Sequence, residues 1–423
     1  MSDSRLKKRT VYKISVKTAS PICVSGTHYM SDLTDADVIK DFEGNAFIPG
    51  SSIAGALRDY LGQKKDSQGL FGFNKDDEDG RMSSVYISDL LFEGKQELVV
   101  RDNVKLSEGK TAETGAKFDM QVLDTNAKGV FFIESVSRVN DSYDVESDTE
   151  GLIAALCENE ICFGSKKTRG FGKIQVCNIE KTVYSKDNYA DYVTAYDDRK
   201  FTEDEENIKA YSLNNKKYCE VRVPLKMRGG ISIRKYAVRK GELDFEHITA
   251  DGKPVIPGTS LAGAIRHRMK DILTEVGCKD IENSVFKEML GFVASDRQGD
   301  KVKQAQISQV IFEESIIHGA KPLVTKRNAV SRFEAATKEG ALYKEKTYVD
   351  GCLDLVIRVK KQDNAEEEQW IGLLLLALKD LTNGYLAIGG QTSVGRGVFE
   401  LRDDENITVD GNSELDRYKF RLS

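Results

Sequence analysis

The chain has 423 residues, of which 40% are hydrophobic and 31% charged, and its formal net charge is −6. This length and apolar content suffice for two ordinary domains with a core each, and exclude a fibrous or largely disordered chain. The acidic balance excludes a uniformly basic nucleic-acid binder, so any anion site must be a local basic patch. Seven cysteines without a Cys-x-x-Cys pair indicate reduced thiols rather than a disulfide framework or a zinc site.

The N-terminal segment carries charge but no apolar run as long as that of a signal peptide. The most apolar stretch, residues 370–378, is too short to span a bilayer. We therefore expect a cytoplasmic protein.

A repeated segment defines the organisation of the chain. Residues 48–58 read Ile-Pro-Gly-Ser-Ser-Ile-Ala-Gly-Ala-Leu-Arg, and residues 256–266 read Ile-Pro-Gly-Thr-Ser-Leu-Ala-Gly-Ala-Ile-Arg, with eight of eleven positions identical. A second pair, residues 164–172 and 389–397, aligns without gaps at an offset of 225 residues. The chain is therefore a tandem of two homologous units.

The repeats set the unit boundaries. The first unit is predicted over residues 1–183 and the second over residues 218–423. The stretch between them, residues 184–217, is rich in Asp, Lys, Asn and Tyr and has little apolar periodicity. We interpret it as a linker or a peripheral insertion.

Each unit opens with an alternating strand, at residues 11–16 and 218–223, and later has a short strand that enters Ile-Pro-Gly. Pro-Gly predicts a turn, and the small residues behind it predict a helix. The hydroxyl groups that follow Pro-Gly are expected to cap this helix. Its free N–H groups could bind an anion, whereas the alternative is an ordinary turn into a buried helix.

The second half of each unit also repeats. Polar stretches that end in Gly-Ala, at residues 115–116 and 340–341, suggest long hairpins standing off the body. Helices are predicted over residues 149–158 and 370–382, each followed by a Gly-rich turn and a closing strand. This order predicts an α+β fold of two ferredoxin-like units, with antiparallel sheets and helices on one face.

The Gly-rich turns are the second candidate anion site. Glycine lets a backbone come close to a ligand, and nearby lysines and arginines supply positive charge. A tight β-hairpin would explain the same glycines without any ligand.

Together these segments resemble the RAMP superfamily of CRISPR systems, most closely the backbone subunits of type III effector complexes. The shared features are Ile-Pro-Gly-Ser/Thr-Ser before a small-residue helix with Arg, then Arg-x-Asn, Gly-Ala before Phe or Tyr, and the Gly-rich turn. The resemblance implies an RRM-like body with a hairpin thumb, which binds CRISPR RNA and wedges between bases of the guide–target duplex. It implies CRISPR RNA, target RNA and other subunits of the complex as partners, and metal-dependent cleavage of target RNA.

The resemblance also implies the catalytic residues. Residues 35–41, Asp-Ala-Asp-Val-Ile-Lys-Asp, match the family segment whose first Asp is needed for cleavage, which assigns Asp35. In the second unit Asp244 is the counterpart, although the sequence departs from the pattern after Ile248. Asp32 and Asp37 compete with Asp35 for the role. Such an Asp could hold a divalent metal, Mg²⁺ or Mn²⁺, or position the 2′-hydroxyl for in-line attack.

The remaining assignments concern RNA contacts. The expected RNA-binding residues are Ser51, Ser52, Arg58, Lys166, Lys167, Arg169, Gly170, Gly172, Thr259, Ser260, Arg266, Gly395, Arg396 and Gly397. The expected thumbs are residues 105–120 and 331–348, with Leu106, Phe118 or Phe333 as apolar wedges.

Three alternatives stay open: a non-catalytic scaffold of the same complex, a CRISPR RNA-processing endoribonuclease, and a two-domain metabolic enzyme. The third lacks support, because no Walker, Rossmann or triad motif occurs. The four histidines do not recur at matching positions, so no shared catalytic or metal role is assigned to them.

Overall fold

The computed structural model divides into two compact units, one of residues 1–167 with 171–216 and one of residues 168–170 with 217–423. The ranges that the structure describes are 5–25, 34–74, 80–106, 112–139, 141–194, 199–209, 216–236, 243–278, 287–293, 305–362, 366–418 and residue 420.

The first unit combines a β-sheet with helices that share its buried core. Its elements are β1 Leu6–Thr18, β2 Phe47–Ile48, α1 Gly50–Gly62, α2 Gln68–Phe71, β3 Val85–Ile87, β4 Leu90–Phe92, β5 Leu98–Leu106, β6 Ala112–Leu123, β7 Lys128–Arg138, α3 Val145–Cys157, β8 Ile174–Tyr184, α4 Tyr189–Thr194, β9 Thr202–Glu203 and α5 Glu205–Lys209.

The central strand of the first unit is β1, which pairs antiparallel with β7 on one side and β8 on the other. The sheet order is β2-β4-β7-β1-β8-β9, and β3 also pairs with β7. Alternation along β1 buries Tyr12, Ile14 and Val16 on one face. There they share a core with Ile53 of α1 and Leu152 of α3.

The second unit repeats this plan. Its elements are β10 Tyr218–Arg228, β11 Gly230–Ile231, β12 Arg234–Tyr236, β13 Phe245–His247, β14 Thr249–Ala250, β15 Lys253–Ile256, α6 Gly258–Glu275, β16 Phe292–Val293, β17 Ala305–Gln306, β18 Val310–Phe312, β19 Ser315–Ile316, β20 Lys321–Arg327, β21 Tyr343–Val349, β22 Cys352–Lys360, α7 Glu366–Thr382, β23 Val398–Leu401 and β24 Thr408–Val409.

Here β10 takes the central place, between β22 and β23, in a sheet of order β18-β22-β10-β23 with β24 also on β10. Val221, Val223 and Leu225 of β10 are fully buried. They lie in one core with Ile265 of α6 and Leu374 of α7. The predicted α+β fold, with an antiparallel sheet covered by helices in each unit, is confirmed.

The expected capping of the repeated helices is wrong. Proline is the N-cap of both α1 and α6, and the N-cap side chain makes no capping hydrogen bond in either helix. Pro-Gly places glycine first in the helix, so the hydroxyl-bearing residues fall inside the first turn. In the first unit the Gly50 N–H instead donates to Asp89 Oδ1 at 2.7 Å, so a carboxylate of the protein already occupies this helix terminus.

The later helices begin before the predicted residues. Helix α3 starts at Val145 because the Asp144 carboxylate accepts the Ser147 N–H at 3.1 Å. Helix α7 starts at Glu366, with three acidic residues in its first turn.

The stretch predicted as a linker or insertion contributes structure to the first unit. Strand β9 pairs with β8 at the sheet edge. Ile208 of α5 is fully buried in the core of that unit. Among the described residues, no helix is both long and apolar enough to cross a membrane.

The glycine of each Ile-Pro-Gly segment is required by close packing. An added Cβ would lie 2.4 Å from the Ile87 carbonyl oxygen at Gly50, and 2.1 Å from that of Phe312 at Gly258. By contrast, Gly263 in α6 is exposed, with no neighbour within 4 Å of an added Cβ.

We therefore expect Gly258→Ala to lower the free energy of unfolding by about 1–3 kcal/mol, because the backbone must shift. The matched control Gly263→Ala should raise it by about 0.5–1 kcal/mol, through helix propensity. The single tryptophan, Trp370, is buried in α7, so its fluorescence during urea denaturation reports on the second unit. Equal effects of the two substitutions would contradict the packing argument.

Candidate functional site

Asp35 lies beside the returning strand of the β5–β6 hairpin. Its Oδ2 accepts the backbone N–H of Asp119 at 2.8 Å, and its own N–H donates to the Asp119 carbonyl at 2.9 Å. The next residue, Ala36, forms a parallel bridge with Met120. The Asp35 side chain is exposed, so it is fixed at one oxygen and still open to solvent.

Asp244 makes the same contact in the second unit. Its Oδ2 accepts the backbone N–H of Lys344 at 2.7 Å, and Phe245 pairs in parallel with Glu345. Lys344 follows the repeated Gly-Ala segment as Asp119 does, 225 residues earlier. The two aspartates that were matched by sequence thus occupy equivalent positions relative to the hairpin strand.

The competing aspartates differ from this arrangement. Asp37 lies two residues beyond Asp35, and its carboxylate accepts a hydrogen bond from the Thr34 hydroxyl. Its counterpart in the second unit is Glu246, which forms the next rung of the parallel pairing with β21. Asp32 and His28 lie outside the described residues. By its geometry Asp35, rather than Asp37, is the counterpart of Asp244. The catalytic role of Asp35 and Asp244 stays a prediction.

Two equivalent positions near the aspartates carry opposite charges in the two units. In the first unit Asp102 lies opposite Asp119 in the hairpin, and Lys117 Nζ is 3.7 and 3.5 Å from their carboxylates. Burial, together with the Asp102 carboxylate, raises the pKa of Asp119. In the second unit the corresponding positions carry Arg327 and Lys344.

The predicted metal ligands do not form a complete protein site. Among the described residues, no three His, Cys, Asp or Glu side chains come close enough to hold one ion. Asp35 and Asp244 could each supply a single ligand, and RNA phosphates would have to supply the others.

Hairpins lie at the stretches that are predicted to be thumbs. Strands β5 and β6 form a separate two-stranded sheet, in which Phe118 is more than one third exposed. In the second unit Phe333 is fully exposed between β20 and β21, beyond the Val330–Thr337 bridge. Residues 107–111 and the side chain of Leu106 lie outside the described part, and the wedge role stays a prediction.

The first Gly-rich turn reaches the base of the first hairpin. Lys166 Nζ donates to Asn103 Oδ1 at 2.8 Å and lies 4.1 Å from the centroid of the Phe118 ring. Lys167 is exposed and Arg169 half-buried, on the short 3₁₀ turn Lys167–Arg169. This contact brings predicted RNA-binding and thumb residues together.

The last glycine of each Gly-rich turn faces the protein itself. An added Cβ would lie 2.0 Å from the Phe163 carbonyl oxygen at Gly172, and 1.9 Å from that of Ile388 at Gly397. Gly170 is buried with a positive φ, whereas Gly395, also with a positive φ, has open space at its Cβ position. The tight hairpin thus accounts for Gly172 and Gly397, and their RNA contacts stay predictions.

The expected RNA-binding residues on α1 and α6 lie at or near the surface. Ser51, Arg58 and Arg266 are exposed, the two arginines at equivalent helix positions. The half-buried members are Ser52, Thr259 and Ser260.

Arg396 has a structural partner that the sequence reading missed. Its Nη2 donates to Oε1 of Glu345 at 2.9 Å, and both side chains are buried. At the equivalent positions the first unit has Phe171 and Met120, which are buried in an apolar cluster. Alignment of the two units at the offset of 225 residues could have revealed this pair, because both positions are apolar in the first unit and charged in the second. The RNA contact of Arg396 stays a prediction.

His247 is near Asp244 in the sequence, but both of its ring nitrogens contact backbone groups of the protein. Its Nδ1 accepts the Ile233 N–H at 3.0 Å, and its Nε2 lies 3.0 Å from the Val255 carbonyl oxygen. Burial lowers the pKa of His247 to about 4, so the ring is neutral at neutral pH.

The Glu345–Arg396 pair gives a stability prediction. Glu345→Met should lower the free energy of unfolding by about 3–5 kcal/mol, because it leaves Arg396 buried without its carboxylate. The double variant E345M/R396F, which installs the residues of the first unit, should recover most of the loss. Trp370 fluorescence in urea provides the measurement, and a double variant no more stable than E345M would contradict the pairing.

Comparison with known proteins defines the family. A chain in the cryo-EM structure of the Type III-B Cmr-beta bound to cognate target RNA is 16% identical, with a TM-score of 0.34 over 42% of this chain and 61% of that chain. No curated protein matches the sequence. The model of the RAMP superfamily matches residues 15–175 and again residues 218–400. The chain thus belongs to the RAMP superfamily, with one family match in each unit.

Proposed function

We propose that the chain is an RNA-binding backbone subunit of an RNA-guided type III CRISPR complex and cleaves guide-paired target RNA at two places, one per unit. The observation that supports this most is the duplicated aspartate contact. Asp35 and Asp244 are exposed, and each carboxylate is held by a backbone N–H of the strand that returns from a hairpin. CRISPR RNA, target RNA and other subunits of the complex are the partners that this function requires.

The geometry of each aspartate is suited to orienting a reacting group of the RNA. A carboxylate fixed at one oxygen can accept a hydrogen bond from a ribose 2′-hydroxyl and orient that oxygen toward the adjacent phosphate. The hairpin next to it carries exposed aromatic side chains, Phe118 in the first unit and Phe333 in the second. An aromatic ring that replaces a lost base stack would splay the strand into the in-line geometry beside each aspartate.

A divalent metal ion, if recruited, would neutralise charge at the scissile phosphate. The described residues bring no three candidate ligands together, so part of the shell of such an ion would come from RNA or water. The second candidate function, a scaffold that binds guide RNA without cutting, needs no such ion.

The guide must be held whatever its sequence, so its contacts are proposed to be with phosphate and sugar. Exposed basic side chains at repeated positions fit this role, among them Arg58 and Arg266. Binding should therefore weaken as salt concentration rises.

The aspartates separate a nuclease from a scaffold. In the complex reconstituted with guide RNA, Asp35→Ala should remove one product of labelled target RNA and Asp244→Ala another, with little change in target binding. Asp35→Asn keeps an acceptor for the Asp119 N–H but removes the negative charge. It therefore separates the contribution of the hydrogen bond to cleavage from that of the charge. Product lengths on a denaturing gel give the readout.

The matched controls are Asp37→Ala and Glu246→Ala, at the residues that lie two positions beyond Asp35 and Asp244. Both should leave the two cuts in place. A wild-type product pattern after the double substitution of Asp35 and Asp244 would overturn the nuclease proposal and leave the scaffold.

A further inference from the structure

Glu345 is the centre of a buried cluster of charges in the second unit. Its carboxylate is 2.9 Å from Arg396 Nη2, 3.1 Å from Arg327 Nε and 3.9 Å from Arg234 Nη2. Gln391 Nε2 donates to Glu345 Oε2 at 3.0 Å, and this is also the oxygen that faces Arg234. The Glu345 side chain is 1% exposed, so these contacts are made away from bulk water.

The cluster contains more positive than negative charge. Three guanidinium groups surround one carboxylate, which leaves two positive charges uncompensated within it. Two nitrogen atoms, Nη1 of Arg396 and Nε of Arg234, are buried without a hydrogen-bond partner in the described part of the chain. Buried donors and unbalanced charge are both costly in a medium of low dielectric constant, and an anion relieves both.

The open side of the cluster lies beside the candidate catalytic segment. The side chains of Arg327 and Arg234 are 38% and 29% exposed, whereas Arg396 lies behind them at 9%. The guanidinium of Arg234 is 4.4 Å from the ring centroid of Phe245, the residue after Asp244. Arg327 is the last residue of β20, where the hairpin leaves the sheet.

The equivalent described positions of the first unit form no such charge cluster. The residues at the positions of Arg234, Arg327 and Glu345 are Ser25, Asp102 and Met120. Cys23, Met120, Val122 and Phe171 form a buried apolar cluster there. In the second unit the same four positions are buried and polar: Ser232, Glu345, Thr347 and Arg396.

We propose that Arg234 and Arg327 bind one phosphodiester of an RNA strand next to Asp244, with Glu345 and Arg396 as positioning residues behind them. Guanidinium groups recognise phosphate through paired, charge-assisted hydrogen bonds, and a shared carboxylate orients both groups before RNA arrives. The inference rests on the proposed RNA-binding function. It assigns this phosphate site to the second unit and not to the first.

The test is the salt dependence of binding of a labelled oligouridine strand to the full chain. Each phosphate contact to a single strand adds about 0.7 to the slope of log K against log salt concentration. The variant R234S/R327Q should lower affinity and reduce the magnitude of that slope by about 0.7. The control R222S/R402Q removes the same charge from arginines that both pair with Asp354 in the same unit, and should leave the slope unchanged.

An unchanged slope in R234S/R327Q, or an equal fall in the control, would overturn the proposal. If the double variant does not show the urea transition of Trp370, the single variant Arg327→Gln, at a side chain more than one third exposed, gives the same comparison. The aspartate variants test the proposed function separately. Two aspartate-dependent cuts with an unchanged slope would refute the phosphate site alone, whereas absence of RNA binding by the wild-type chain would refute both.

Discussion

One hydrogen bond, made twice, organises the candidate site. In each unit an exposed aspartate accepts the backbone N–H of the strand that returns from a hairpin, at 2.8 Å in the first unit and 2.7 Å in the second. The residue that follows each aspartate forms a parallel bridge to the same strand. Hairpin and aspartate therefore hold a fixed relation to each other, so RNA aligned by the hairpin is also aligned with the carboxylate.

The two units share this backbone arrangement but differ in the side chains behind it. The first unit has a buried apolar cluster with an aspartate pair nearby, and the second has Glu345 among three arginines. Backbone hydrogen bonds do not depend on these side chains, which explains how the contact persists while its surroundings diverge. The acidic neighbours of Asp35 favour nearby cations, whereas the basic neighbours of Asp244 favour nearby phosphates.

Much of the fold could be predicted from the sequence, because the repeat and the alternating apolar residues of β1 and β10 depend on local periodicity alone. The pairing of Asp35 with Asp244 followed from a short family segment. The cap of α1 could not be predicted, since Asp89 reaches Gly50 across 39 residues. The Glu345 cluster also escaped prediction, because its five members come from four separate segments that only the folded chain brings together.

The most direct test of the account is amide hydrogen exchange at Asp119 and Lys344, measured residue by residue in the wild-type chain and in the two aspartate variants. We predict that Asp35→Ala accelerates exchange at Asp119 alone and Asp244→Ala at Lys344 alone, because each substitution removes the acceptor of that N–H. Unchanged protection of both amides in the variants would contradict it.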